Sequence, residues 1–404
     1  MQSPTFKTQI SESPGFESLL QSINQLSQSH PEPPALNDAA GDSLEKVNYY
    51  IDLALNTFER ISASMMDEQQ QANFFFALSE TFETLGNYSA ALRNYSSLLR
   101  LSENLKDESK RGQIQYRIGR IYADQGDWQQ AKQMLEAAIH TLKTTSSHSE
   151  IALAQIELAK IAYRKGDYLK AENIFQSALK TSDSIKDIRS RATVSNHLGI
   201  IRRILGEYDL AYSHFHQALL EFQGIQDFRG TAESLNNLGV VHLQRHELQK
   251  AKSYFEKSQH LCQEIGYFAL LAFIYLNKAE YYCEAGDIPM AANICCKALE
   301  YIIKLKNPIG VAKISMLFGR VLWKSSDFDT ADKFYRTSMD LYEEFSIPLG
   351  LANSCKEYAQ MLATKGNYEK ANLFQSKAEQ IYTSLNMPPD NRKKALIGAD
   401  GPVV

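Results

Sequence analysis

The side chains that could do chemistry are few, and their spacing favours structure. His242 and His246 stand four residues apart. On a helix that spacing puts two imidazoles on one face, where they could share a zinc ion. The pattern offers no third ligand and His246 falls at a turn, so no metal site is expected. His214 and His216 are two apart and point in different directions on a helix. Glu280 and Glu284 form a carboxylate pair of the kind that can do acid–base work, but such pairs on a helical face are ordinarily solvated. The five cysteines, Cys262, Cys283, Cys295, Cys296 and Cys355, show neither a disulfide framework nor a zinc-knuckle spacing. They read as buried free thiols of a reducing compartment. No phosphate-cradling glycine loop, nucleophile elbow, kinase signature or zinc-protease motif occurs. No catalysis and no cofactor are expected.

The elements that carry these residues are written in a repeat. Gly206-Glu207-Tyr208-Asp209-Leu210-Ala211 reads as a helix end, a cap and a new helix: glycine suits the left-handed position past a helix end, and an acidic residue starts the next helix. The same signal returns every forty residues in Gly86-Asn87-Tyr88, Gly126-Asp127-Trp128, Gly166-Asp167-Tyr168, Gly286-Asp287-Ile288 and Gly366-Asn367-Tyr368. His246-Glu247-Leu248 and Ser326-Asp327-Phe328 keep the place without the glycine. Eight units begin at Ala72, Gly112, Ala152, Ala192, Ala232, Ala272, Ala312 and Ala352. Their eighth position is small throughout, from Ser79 to Ala359, and their twentieth is alanine in every unit. A large apolar residue mostly follows four places later, as in Leu135, Phe175, Phe215 and Phe255. Small residues at the eighth and twentieth positions are expected to meet where paired antiparallel helices approach closely, with the large residues filling the grooves beside them. A single pair cannot bury its apolar face, so units must stack.

A chain of 404 residues, 44% hydrophobic, can bury a sizeable core. The net charge of −4 argues against a general nucleic-acid binder. No run of about eighteen apolar residues suggests a membrane span, and Met1-Gln2-Ser3-Pro4 begins no secretory signal. A cytoplasmic location is expected. Residues 1–43, rich in Ser, Gln and Pro, read as a flexible arm carrying one short amphipathic helix around Phe16, Leu19, Leu20, Ile23 and Leu26. Residues 44–71 read as a partial capping repeat, 72–390 as the eight units, and 391–404 as a flexible tail.

The small–alanine–large set in eight registers resembles the tetratricopeptide repeat family, with a period of forty in place of thirty-four. It is similar to the forty-residue repeats of Rap-type bacterial regulators, LGN-like polarity adaptors and MalT-like activators; Ser234-Leu235-Asn236-Asn237-Leu238-Gly239 carries that likeness. The resemblance implies an all-α, right-handed superhelical solenoid of about eight helix-turn-helix repeats, with the first helix of each unit lining a concave groove. Carried onto this chain, the family's groove positions fall on Tyr116, Arg117, Arg120, Lys160, Arg164, Asn196, His197, Arg203, Asn236, Asn237, Asn277, Arg320 and Trp323. Asparagine amides can both donate to and accept from a peptide backbone, and clustered arginines favour carboxylates. The resemblance therefore implies a non-catalytic scaffold or adaptor that binds a protein or peptide segment of acidic character. The alternative is a peptide-responsive signalling or transcription regulator of Rap-like type. Oligomeric state is left open.

Overall fold

A computed structural model describes residues 67–84, 88–145, 147–305 and 307–387. The expected arm, most of the expected capping repeat and the expected tail lie outside the described residues. Sixteen α-helices follow one another, and no strand occurs among the described residues. They are α1 (Glu68–Thr84), α2 (Tyr88–Asn104), α3 (Glu108–Asp124), α4 (Trp128–Leu142), α5 (His148–Arg164), α6 (Tyr168–Ser184), α7 (Ile188–Ile204) and α8 (Tyr208–Gly224), then α9 (Phe228–Gln244), α10 (Leu248–Ile265), α11 (Phe268–Glu284), α12 (Ile288–Lys304), α13 (Pro308–Lys324), α14 (Phe328–Glu344), α15 (Pro348–Thr364) and α16 (Tyr368–Ser384).

The helices pair into successive hairpins, α1 with α2 through α15 with α16. They fall into two compact units. The first holds α1 and α2; the second holds α3 to α16. In the first, the Tyr95 ring packs edge-on against Phe76 at 6.0 Å, and its hydroxyl donates to Glu83 at 3.2 Å. The second is an all-α repeat solenoid.

Both kinds of turn in the second unit share one geometry. Within a hairpin, Gly206 takes φ 76°, its N–H donates to Arg203 O, and the Glu207 N–H reaches back to Arg202 O at 2.8 Å. His246 and Ser326 hold the same left-handed place at φ 58° and 67°, so the turn forms even where its glycine is lost. Between hairpins, Gln226 takes φ 56° and the Asp227 N–H reaches Phe222 O at 2.8 Å. Lys186, Ser346 and Asn386 repeat that second site. Acidic and asparagine caps then begin the next helix. Asp127, Asp167, Asp187, Asp227 and Asp287 each accept the backbone N–H three residues on, at 3.0–3.1 Å. Glu207 and Glu247, whose longer side chains fit that role less well, make no such bond.

Packing corrects one expectation. Ala211 and its equivalents are buried as required. The atoms nearest the small eighth position, however, belong to the large residue at position twenty-four and not to the alanine at position twenty. A β-carbon on Gly199 would stand 2.7 Å from the Phe215 ring, and on Gly239 2.6 Å from Phe255. A second glycine contact recurs between hairpins, where Phe222 covers Gly230 and Tyr342 covers Gly350. One cysteine also departs from expectation: Cys296 is exposed, while Cys262, Cys283, Cys295 and Cys355 are buried.

Candidate functional site

The first helices of successive hairpins pack against one another, α3 on α5, α5 on α7, and so on to α13 on α15. The second helices make no comparable contact among the described residues. Helices that touch across a hairpin lie on the inside of a curve, so the first helices line the inner face of the second unit.

Side chains stitch that face together. The Asn237 amide on α9 donates to Asn196 Oδ1 on α7 at 3.1 Å. The Asn277 amide on α11 donates to Asn236 Oδ1 on α9 at 2.9 Å. These four buried amides form a ladder across three successive first helices. Each rung uses one N–H and one acceptor site of groups that have more of both. Backbone-like polarity is thus concentrated at the centre of the inner face.

The ladder is continued toward the C-terminus by ions. Arg320 on α13 donates from Nε to Glu357 Oε2 on α15 at 3.0 Å, and its Nη2 pairs with the other oxygen. Its Nη1 stands 3.6 Å from Glu280 and 3.9 Å from Glu284, both on α11. One guanidinium therefore holds three carboxylates and bridges three first helices. Burial pushes the Glu280 carboxyl up to about 7, Arg320 opposing and Glu357 and Glu284 adding to the shift. Carboxylates around it hold Arg320 firmly charged despite its burial.

Toward the N-terminal side of this unit the face is basic. Lys160 donates to Glu157 at 3.1 Å, and the Arg164 guanidinium lies over the Trp128 ring, 5.3 Å from its centroid. His197 stacks on Phe175 with centroids 5.2 Å apart. Burial, with Lys160 and Arg164 nearby, pushes its imidazole down to about 3, so it is neutral in the physiological range. Tyr116 and Arg203 are buried, Arg117 and Arg120 half-buried. Trp323 is partly buried and packs on the core.

The structure thus brings Lys160, Arg164 and His197 together, and joins Asn196 to Asn237 and Asn236 to Asn277. Arg320 stands with carboxylates. Two partnerships were missed from sequence. Glu357 occupies the sixth position of its unit, a groove position in the register already used. Glu233, on α9, accepts from the Tyr267 hydroxyl at 2.9 Å, a contact between neighbouring hairpins that no local pattern marks. His242 makes its contact with Glu247, at 2.9 Å from Nδ1, and stacks on Tyr254. Among the described residues no group of three His, Cys, Asp or Glu side chains is placed to hold a metal ion, and no helix is long and apolar enough to cross a membrane.

Family models described as tetratricopeptide repeat match residues 76–139, 110–184 and 190–264. Across those residues the chain carries tetratricopeptide repeats. No curated protein matches it in sequence. Solved structures similar to this repeat protein include a Rap protein complexed with competence and sporulation factor. The two are 14% identical, the match covers 92% of this chain and 99% of that one, and the TM-score is 0.64. Aspartyl phosphate phosphatase F from Bacillus subtilis is 17% identical over 94% of this chain and 96% of its own, with a TM-score of 0.56. The Rap conjugation gene regulator of plasmid pLS20, in complex with the Phr* peptide, is 14% identical over 78% and 96%, with a TM-score of 0.57. At these identities the likeness is one of fold.

Proposed function

We propose that the chain is a non-catalytic cytoplasmic scaffold whose inner face binds an extended protein or peptide segment. The observation that carries this reading is the amide ladder of Asn196, Asn237, Asn236 and Asn277. An extended backbone presents a row of N–H and C=O groups. A row of fixed amides can match it whatever the side chains are, while flanking charge supplies selectivity. Lys160, Arg164 and Arg203 on one side favour a segment with acidic character there.

A second reading is a peptide-responsive regulator of Rap-like type. It is supported by the similar pLS20 regulator, whose structure contains a peptide. Both readings use the same face and neither includes a catalytic step.

The test is a displayed library of random ten-residue peptides panned against the wild-type chain. The expected result is enrichment of acidic sequences. Their affinity should fall at least tenfold in a variant carrying Arg120→Glu, Lys160→Glu and Arg164→Glu. Enriched peptides that bind this variant unchanged would defeat the proposal. Small-angle scattering with and without an enriched peptide then separates the two readings: compaction supports the regulator, an unchanged profile the rigid scaffold.

A further inference from the structure

In a solenoid each hairpin touches only its neighbours. One contact in the second unit breaks that rule. The turn of the α5–α6 hairpin meets the ends of the α15–α16 hairpin, with four hairpins between them in sequence. A β-carbon on Gly166 would collide with the Leu385 side chain and stand 3.4 Å from Pro348. Added to Gly126, Gly286 or Gly366, the same turn position in other hairpins, it would meet nothing within 4 Å.

Burial at equivalent positions tells the same story. Tyr168 follows Gly166 and is 6% exposed, whereas Tyr368, in the same register, is 68% exposed. Leu385 is 6% exposed, whereas its counterpart Leu305 is 39% exposed. Tyr168 and Leu385 stand on the two sides of this one contact.

We propose that this contact is a releasable clasp that closes hairpins α5–α6 to α15–α16 into a ring around the inner face. Closed, it makes that face reachable only along the ring axis. Opened, it admits a segment from the side. The clasp is built to open. A solvent-open cleft of about 740 Å³ runs beside it, between Tyr168, Leu169 and Leu205 on one side and Pro348, Leu385 and Asn386 on the other. The contact is therefore narrow and bordered by solvent, and regions with few buried apolar contacts open at low cost. The turn side carries Lys165, Asp167 and Glu172 at the cavity wall, so the apolar patch is narrow and edged by charge. The clasp stands on the geometry of the two hairpins and is independent of what the inner face binds.

The test is a distance measurement on the full chain without added ligand. Spin labels are placed at Lys170→Cys and Thr383→Cys, both exposed, in a Cys296→Ser background that removes the exposed native thiol. Double electron–electron resonance should give one short, narrow distance. Leu385→Glu should abolish that component and give a longer, broader distribution. Leu305→Glu, at the equivalent position of a hairpin outside the clasp, should leave it intact. Should Leu385→Glu lose its helical circular dichroism, Pro348→Glu serves instead. It sets a carboxylate at the first turn of α15, where a helix tolerates one, at a wall whose Lys165, Asp167 and Glu172 together carry a net negative charge. A wild-type distribution that is already long and broad overturns the clasp. So does a short distance that survives a folded Leu385→Glu or Pro348→Glu.

Discussion

Phe215 lies across Gly199 so closely that a β-carbon on the glycine would stand 2.7 Å from the ring. The two residues belong to the paired helices α7 and α8. Their contact explains why the eighth position of each unit stays small: it is the floor under a large side chain of the partner helix. Gly199→Ala should therefore destabilise the fold by overpacking, by about 1–3 kcal/mol. Gly224→Ala, where an added β-carbon meets nothing, should leave stability level or raise it by up to ~1 kcal/mol. Thermal melting of the two variants checks the contrast; equal melting points would count against this packing.

The amide ladder should show its coupling directly. Asn237→Ala removes the donor to Asn196 Oδ1 at a buried site. Leaving a buried acceptor unmatched costs about 1–3 kcal/mol. Removing both partners should cost less than the sum of the single changes. A double-mutant cycle of Asn196→Ala and Asn237→Ala, read by urea unfolding, measures the difference. Strict additivity would mean that the rung carries no energy.

The ionic bridge predicts a pH dependence. The Glu280 carboxyl sits at about 7 in the folded chain against an ordinary value of 4.5. Burial raises it, Arg320 from α13 and Arg203 from α7 oppose, and Glu357 from α15 and Glu284 on its own helix add to the rise. The folded state therefore holds a proton that the unfolded state has released between those two values. Its contribution to stability is present near pH 4.5 and is lost as pH rises to about 7. Glu280→Gln cannot titrate, so it should flatten the fall in melting temperature over that interval. An unchanged slope in the variant would place the titration elsewhere.

His197 works with the opposite sign. Its imidazole is held far below its ordinary value of 6.5, first by burial and then by Lys160 and Arg164. The stability this gives is complete above about pH 6.5, and acid removes it as the unfolded chain gains a proton that the folded chain refuses. In a histidine-selective NMR titration its ring signals should stay constant from pH 8 to 5. A His197 midpoint near 6 would overturn this assignment.

Much of the architecture was legible because the repeat writes it many times. Glycine at one turn, alanine at position twenty and a ring four residues later mark a hairpin even where His246 or Ser326 replaces the glycine. The turn between hairpins was harder to read. It needs the same left-handed residue, yet Lys106, Lys186 and Gln226 fill it, and none of those side chains advertises the conformation. The repeat register put Asn196, Asn236, Asn237 and Asn277 on one face, but it could not say that they would bond to one another. It likewise placed Arg320 without its carboxylates, because charge pairing depends on which side chains the curvature brings together. The meeting of Gly166 with Leu385 depends on the accumulated curvature of several hairpins, and no local pattern encodes that.

The near-uniform helices and their recurring turns carry a mechanical consequence. Once the contact of Gly166 with Leu385 has parted, hairpins that lean only on the next in line share tension in series, so a pulling force has no single fortress to breach. A chain stretched from its ends would give way a hairpin at a time, each release paying out roughly 130–140 Å of backbone. The force trace would be a low staircase, and a relaxed chain could climb back down it by the same steps. Such a molecule behaves as a spring with many equal coils, able to lengthen under load and to recover its shape when the load is gone.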